Sequence, residues 1–444
     1  MRSDGHAPVV IVGGGFSGTI MAVQLARRGV RSVLIDGSGR AGKGVAYSTT
    51  EPAHLLNVRA ESMSALADEP DHFAARFEAA GGDRTGFAPR LLFGAYLNNL
   101  LAEAVASGNV EIEPSTAVAA RPGEGGWTVE LDGGGQIGAD ALVLANGNQE
   151  PEPLRVLETA RPRYINNPWG DEMRAAVAEL AQSGGSALLV GTGLTMIDLA
   201  LSLDAAGHRG QIVALSRRGQ VPRAHADFEP APVTADQVPT GIRPLLRWLR
   251  ERAATSGWRA AIDSLRPHSH AVWQGLSAKD QRVFLRHARP WWDVHRHRIA
   301  PEVSQTLARM IAEGRLEVVA GRIAGAQLRE NGVEVEIARR GKSGASAEQF
   351  DYIFNCTGPL GAIGRTRDPL LRGLLHDGVI VPDSLGIGLD VDGRSRVPDA
   401  RSLWALGPLT KGKFWEIVAV PDIRMQAAAV ADDIAEELGD AGHA

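Results

Sequence analysis

One segment constrains this chain more than any other: Gly13-Gly14-Gly15-Phe16-Ser17-Gly18, set between a β-branched run and an apolar helical pattern. Val9 to Val12 is continuous and apolar, as expected of a central parallel strand buried on both faces. Thr19 to Arg28 carries Ile20, Val23 and Leu25 at helical spacing, and Gly29 is placed to end that helix. Val33-Leu34-Ile35 predicts the next strand, which closes on Asp36. In the pattern Gly13-x-Gly15-x-x-Gly18 the first glycine permits a tight turn and the second lets the backbone approach a pyrophosphate. The third lets helix and strand pack closely, with the helix N-terminus facing the anion. A carboxylate at Asp36 stands where it can bind ribose hydroxyls, so the unit reads as dinucleotide-binding.

The pattern returns later. Ala187-Leu188-Leu189-Val190 predicts a strand, Gly191-Thr192-Gly193-Leu194-Thr195-Met196 a turn, Ile197 to Ala206 a helix, and Gln211 to Leu215 a strand ending at Ser216-Arg217-Arg218. Met196 stands where the third glycine would be, which implies looser packing of helix on strand. An arginine after the second strand, in place of an acid, suits a ribose 2′-phosphate and favours NADPH over NADH; the bland alternative is a solvated arginine pair. The second nucleotide would rest on Gly191, Gly193, Leu194, Thr195, Arg217 and Arg218.

Between and beyond these units, Val110 to about Gly138 alternates around two glycine clusters and predicts a small antiparallel meander. A connection with Pro151, Pro153, Pro162 and Pro168 reads as a domain crossing. Residues from about 240 to 313 read as helical, and a last strand at Leu403 to Leu406 precedes a closing helix from about Pro421 to Glu437. The expected fold is α/β, with two Rossmann-like dinucleotide-binding domains, an FAD domain with an inserted NAD(P)H domain, plus a helical insertion. Residues 1–165 and 356–444 form the first domain, 166–239 and 314–355 the second, and 240–313 an insertion able to serve as a substrate lid.

Composition narrows the chemistry. Glycine is 52 of 444 residues, well above the usual share of about 7%. Cysteine is the opposite extreme, with Cys356 alone. A single thiol builds no internal disulfide, no Cys-x-x-Cys metal site and no dithiol redox centre, so Cys356 reads as a buried structural thiol. The formal net charge of −5 gives no basic field for nucleic acid or an anionic membrane. Met1 to Pro8 has no secretory pattern and no apolar run approaches a membrane span, so a cytoplasmic address is expected.

Further motifs carry a resemblance. They include Gly44-Val45-Ala46-Tyr47-Ser48, His54-Leu55-Leu56-Asn57-Val58, Met63-Ser64-Ala65, Pro70-Asp71-His72-Phe73 and Phe87-Ala88-Pro89-Arg90 with Gly94-Ala95-Tyr96-Leu97. Ala214-Leu215-Ser216-Arg217-Arg218-Gly219, Trp291-Trp292-Asp293, His295-Arg296-His297-Arg298, Gly407-Pro408, Gly412, Trp415-Glu416, Pro421-Asp422-Ile423-Arg424 and Gln426 complete the set. Together they resemble the FAD/NAD(P)-binding flavoprotein family that includes FAD-dependent urate hydroxylase and aspartate N-monooxygenase, and more distantly the ornithine N-hydroxylases. The resemblance implies that Gly13, Gly15, Phe16, Ser17, Gly18 and Asp36 hold the FAD pyrophosphate and ribose. It places Asn57, Met63 and Arg90 along the FAD, Gly147 and Thr357-Gly358 at strand ends where the chain crosses domains, and Gly407 on the flavin side. The Phe-x-Gly-x-x-x-His fingerprint of Baeyer–Villiger enzymes is missing from the sequence, which argues against carbonyl oxygenation.

The implied activity is an FAD-dependent NAD(P)H monooxygenase that hydroxylates a small polar nitrogen compound, an amine, amino acid or purine such as urate, with dioxygen carried as a flavin hydroperoxide. The alternatives are an FAD-dependent NAD(P)H oxidoreductase without oxygen insertion, and a nucleotide-binding redox sensor or scaffold. No acid–base residue is singled out; Asn57, Lys413 and Glu416 are the candidates for flavin or substrate contact. His268-x-His270 and His295-x-His297 are not read as metal ligands, because spacing by two does not place both on one face of a helix. The run Arg282, Arg286, Arg289, Arg296, Arg298 is expected to be a solvated face or to meet cofactor phosphates, and Trp291 and Trp292 to be packing anchors.

Overall fold

Val9–Val12 has no polar face, so it must lie between two apolar layers. A computed structural model, describing residues 5–441, places it there; the part of the Met1–Pro8 reading that concerns Met1 to Asp4 lies outside those residues. Strand β1 (Gly5–Val12) is central in a sheet with β2 (Ser32–Ile35), β3 (Val110–Glu113), β4 (Ala117–Gly123), β5 (Gly126–Leu131) and β6 (Gln136–Leu144), in the order β3-β2-β1-β6-β5-β4. The β1 strand runs parallel to β2, with Val12 opposite Ile35, and parallel to β6, with Val12 opposite Leu144. Alternate residues face opposite layers. Val9 and Ile11 join a core with Ile20, Met21, Leu97 and Val430, while Val10 and Val12 join another with Trp127, Leu142 and Leu371.

The expected meander begins later than its alternation suggests. Val110–Glu113 lies parallel beside β2, and only β4, β5 and β6 form the antiparallel run. A half-buried edge strand alternates in the same way whether its neighbour is parallel or antiparallel.

The second sheet collects β7 (Tyr164–Ile165), β8 (Ala187–Val190), β9 (Ile212–Ser216), β10 (Leu316–Arg329), β11 (Gly332–Arg339), β12 (Ser346–Phe350) and β13 (Tyr352–Asn355), in the order β12-β11-β10-β9-β8-β13-β7. Its β10-β9-β8-β13-β7 part is parallel, and β11 and β12 add an antiparallel hairpin. The chain then returns to the first sheet, where β14 (Leu403–Ala405) runs parallel to β6. The second unit is thus inserted into the first.

Two boundaries move. Tyr164 and Ile165 pair with β13, so the first crossing falls before Tyr164 rather than after Ile165. The helical insertion consists of Ile242–Leu265, Ser269–Gly275, Ala278–Val283 and Arg289–Arg296. The helix Pro301–Ala312, by contrast, buries Val303, Leu307 and Met310 in the second unit's core beside Leu199 and Leu203. It is that unit's crossover from β9 to β10. Apolar periodicity announces such a helix but not the sheet it covers.

A Cβ on Gly18 would lie 1.9 Å from the Gly13 carbonyl oxygen, whereas one on Gly193 would meet nothing within 4 Å. We therefore expect Gly18→Ala to destabilise the fold by about 1–3 kcal/mol, as overpacking does, and Gly193→Ala to leave the urea midpoint nearly unchanged. Equal midpoints for the two variants would contradict this packing.

Candidate functional site

The first glycine turn is built by close backbone contact. Gly13 has φ +105° and donates its N–H to the Ile35 carbonyl at 2.9 Å. A Cβ there would stand 2.5 Å from the Ala145 carbonyl oxygen, at the end of β6. Gly14 donates its N–H to Asp36 Oδ2 at 2.9 Å, and Ser38 donates its N–H to Asp36 Oδ1 at 2.7 Å. Asp36 is thereby fixed at the end of β2, beside the turn. A Cβ on Gly15 would meet nothing nearer than the Gly44 Cα at 4.0 Å, so that side of the turn is open. The helix Phe16–Arg27 follows with no acid in its first turn. Its leading N–H groups have no intrahelical acceptor and attract an anion. Open backbone, free donors and a fixed carboxylate fit the pyrophosphate and ribose of a dinucleotide.

The second turn repeats the construction with different atoms. Gly191 has φ +122° and donates to the Leu215 carbonyl at 2.8 Å; a Cβ there would stand 2.1 Å from the Cys356 carbonyl oxygen. Gly193 is open, and the helix Leu194–Ala205 has no acid in its first turn. Met196 is fully buried among Leu199, Leu189 and Phe354, so the missing third glycine leaves a filled core rather than the expected loose one. Ser216 takes the place of Asp36: its hydroxyl lies 2.9 Å from Thr192 Oγ1 and accepts the Gly219 N–H at 3.0 Å. Next to it Arg217 is exposed, while Arg218 lies 5.9 Å from the centre of the Trp291 ring. Of the two arginines, Arg217 is the one presented to solvent beside the turn.

The remaining expected residues divide. Asn57 is half-buried, and its carbonyl accepts from His225 Nε2 at 3.0 Å. Gly147 has φ +65° just past β6, and Gly407 has φ +60°, with a Cβ position 2.3 Å from Ser17 Oγ, so Gly407 borders the first turn. Met63 is instead a core residue, 3% exposed among the apolar residues beneath the first sheet. Arg90 is also engaged elsewhere: Nη1 donates to Asp198 Oδ2 at 2.8 Å and Nε to the Leu55 carbonyl at 3.1 Å. It joins the two units rather than lying open to a cofactor. Lys413 is half-buried, and its carbonyl meets Gln274 Nε2 at 3.5 Å. Glu416 is buried, accepting from Trp292 Nε1 at 2.8 Å with Arg296 Nε 2.8 Å from its other oxygen.

The basic run divides: Arg282, Arg286 and Arg289 are exposed, whereas the Arg296 and Arg298 side chains are shielded in ion pairs. Arg289, Arg296 and Arg298 pair with Asp293, Glu416 and Asp263. Trp292 anchors as expected, but Trp291 is 54% exposed. Among the described residues no group of three or more His, Cys, Asp or Glu is placed to hold a metal, and no helix is long and apolar enough to cross a membrane.

Sequence reasoning missed Asp198, His54 in its role, and His225. Asp198 interrupts the apolar stretch Met196–Leu203, and a lone acid in a buried helix was the available signal. Its carbonyl lies 2.9 Å from His54 Nε2, and Ser202 Oγ lies 3.0 Å from the same nitrogen, so His54 and Arg90 together fasten the first unit to the helix after the second turn. Lys411 was missed as well. Burial, helped by Arg289, pushes its amine down to about 8, and Nζ reaches the Leu360 carbonyl at 3.4 Å. Close by, the two crossing segments enclose a cleft of about 480 Å3 lined by Gln149, Leu360, Arg367 and Asp368.

Comparison with known proteins adds a family. Residues 10–149 match the family of FAD-NAD(P)-binding domains. That segment holds the first turn, Asp36, Arg90 and Gly147. In structure the chain is similar to L-lysine 6-monooxygenase from Pseudomonas syringae (15% identity, 97% of this chain and 99% of that one, TM-score 0.69). It is also similar to the Kutzneria sp. 744 ornithine N-hydroxylase, described with reduced FAD, NADP+ and L-ornithine (16%, 98% and 100%, 0.65). Thioredoxin reductase of T. acidophilum shares the fold too (14%, 98% and 99%, 0.55). No curated protein matches the chain. The chain has the two-domain build of FAD-dependent NAD(P)H oxidoreductases.

Two measurements check this geometry. Burial, reinforced by Asp198, pushes the Cys356 thiol well above its ordinary range. The folded protein should therefore resist Ellman's reagent at mildly alkaline pH and release one equivalent once unfolded; prompt reaction of the folded protein would contradict a structural thiol. Burial also pushes His225 down from 6.5 to about 4, although its bond to Asn57 acts the other way. The unfolded state takes up the proton first, so the contribution to stability is complete above about pH 6.5 and declines as pH falls toward 4. His225→Gln should flatten the urea midpoint against pH in that window; an unaltered slope would contradict a buried neutral imidazole.

Proposed function

We propose that this protein is an FAD-dependent NADPH monooxygenase that adds one oxygen atom to a small polar nitrogen-containing substrate, an amine, amino acid or purine. One observation carries the reading. Two open glycine cradles stand at corresponding sheet ends, while the lone thiol that a disulfide reductase would need in duplicate is buried at 3% exposure. Thioredoxin reductase shares the fold, but this chain has no second cysteine to share its chemistry.

FAD fits the first cradle, where the close contacts of Gly13 and Gly18 shape the turn, Gly15 leaves open space and Asp36 is fixed for the ribose. NADPH fits the second, with Gly191, Gly193, Leu194 and Thr195 at the phosphates and exposed Arg217 at the 2′-phosphate. The bound pair supplies hydride transfer and oxygen activation; the chain's own task is to hold, orient and shield. Arg90, His54 and His225 make polar contacts that bridge the two units. Similarity to lysine and ornithine N-hydroxylases in fold supports nitrogen as the atom attacked.

Aerobic NADPH consumption by the FAD-loaded protein, across amine, amino-acid and purine panels with product mass, tests the reading. One product heavier by a single oxygen is the expected result; full-rate NADPH oxidation with an added acceptor and no oxygenated product would overturn it. Arg217→Ala should raise KM for NADPH by about tenfold or more, as loss of a charge-assisted contact does, while leaving NADH nearly unaffected. Equal effects on both nucleotides would remove Arg217 from the 2′-phosphate.

A further inference from the structure

Where the helical insertion meets the segment after Gly407, several buried polar groups converge without partners. Arg296 has a side chain only 9% exposed; its Nε faces Glu416, and its Nη2 is buried with no hydrogen-bond partner. Asp422 Oδ2, His270 Nε2 and Trp415 Nε1 are likewise buried and unpartnered. Burial and nearby Arg296 disfavour the charge of Arg266, with Asp422, Asp263 and Glu416 acting the other way. Folded proteins satisfy nearly all buried polar groups, and each one left unmade costs about 1–3 kcal/mol. Such groups gathered from three separate segments call for a polar partner that the chain itself does not supply.

The place is the right one for a substrate. Gly407 abuts Ser17 at the start of the first helix, and Gly412 accepts from Trp273 of the insertion at 2.8 Å, so this segment runs from the first cradle to the cluster. An apolar cavity of about 130 Å3, lined in part by Trp292 and Trp415, adjoins the cluster. Glu416 already answers one side of Arg296 and, although burial raises it, Arg296 and His297 hold its carboxyl below its ordinary value. What remains is the guanidinium groups of Arg296 and Arg266 near the Asp422 carboxylate, which burial raises above its ordinary value although both arginines act the other way.

We propose that Arg296, Arg266 and Asp422 form the substrate-recognition end of the site, selecting a small molecule that carries both a planar oxyanion for the guanidinium groups and an N–H group for the carboxylate. It rests on the monooxygenase reading only in calling that molecule the substrate. A simple alkylamine or a simple dicarboxylate satisfies half of the cluster and strands the other half, which gives selectivity for molecules bearing both groups.

The test is binding to the FAD-loaded protein without NADPH, followed by calorimetry, using L-aspartate, urate, succinate and n-butylamine as probes. At least one of L-aspartate and urate should bind saturably, and about tenfold or more tighter than succinate and n-butylamine. Arg296→Lys keeps a cation opposite Glu416 but loses the planar fork; Asp422→Asn keeps the shape and loses the charge. Each should weaken the bound probe by about tenfold or more with FAD content unchanged. Saturable binding by neither L-aspartate nor urate, equal affinity across wild type and both variants, or loss of FAD together with the probe would each overturn the proposal. Because nothing is turned over, failure here leaves the oxygenation test standing, and failure there leaves this binding result standing.

Discussion

Everything in this molecule hangs on two places where one backbone presses on another more closely than any side chain permits. At Gly13 the neighbour is the Ala145 carbonyl, and at Gly191 it is the Cys356 carbonyl. Each contact draws the end of the first strand of a unit against the end of the strand that closes it, β6 in one sheet and β13 in the other. The crevice left above the strand ends is then floored by backbone rather than side chains, which is what a phosphate chain requires. The lone cysteine matters here through its carbonyl rather than its sulfur.

Two such crevices are useful only if they hold their relation to each other. Polar contacts cross from one unit to the other. Arg90 and Asp198 form a shielded pair, their side chains 14% and 7% exposed. Removing one member of such a pair strands the other charge, which costs about 3–5 kcal/mol. His54 reads the same helix through the Asp198 carbonyl and Ser202, and His225 reaches back to Asn57. The helical insertion adds a third layer, joined to the segment after Gly407 by Trp273, Trp292 and Arg296.

Local features were legible in the sequence because they depend on neighbours in the chain. The continuous run Val9–Val12, the glycine spacing and the acid at Asp36 lie within one strand–turn–helix–strand unit, and the structure places each where its pattern put it. The pairing of Arg90 with Asp198 is not legible locally, since the partner lies 108 residues away and no local pattern announces it. The burial of Met63 in the apolar core is not legible either, because a methionine suits a core or a cofactor wall equally and only packing places it. The helix Pro301–Ala312 was given to the insertion because periodicity reports an apolar face without naming what covers it. The cluster around Arg296 was invisible for the same reason: its members come from separate helices and a loop, and its unmet hydrogen bonds exist only once those segments meet.

The central claim is that the two cradles hold two nucleotides in one electron path. The most direct measurement is to mix the flavin-loaded protein with one equivalent of NADPH in the absence of oxygen and follow the visible flavin absorption. The account predicts that the absorption bleaches as NADPH is consumed, mole for mole, and that admitting oxygen restores it. A protein that binds no flavin, or whose flavin keeps its absorption beside excess NADPH, would contradict it.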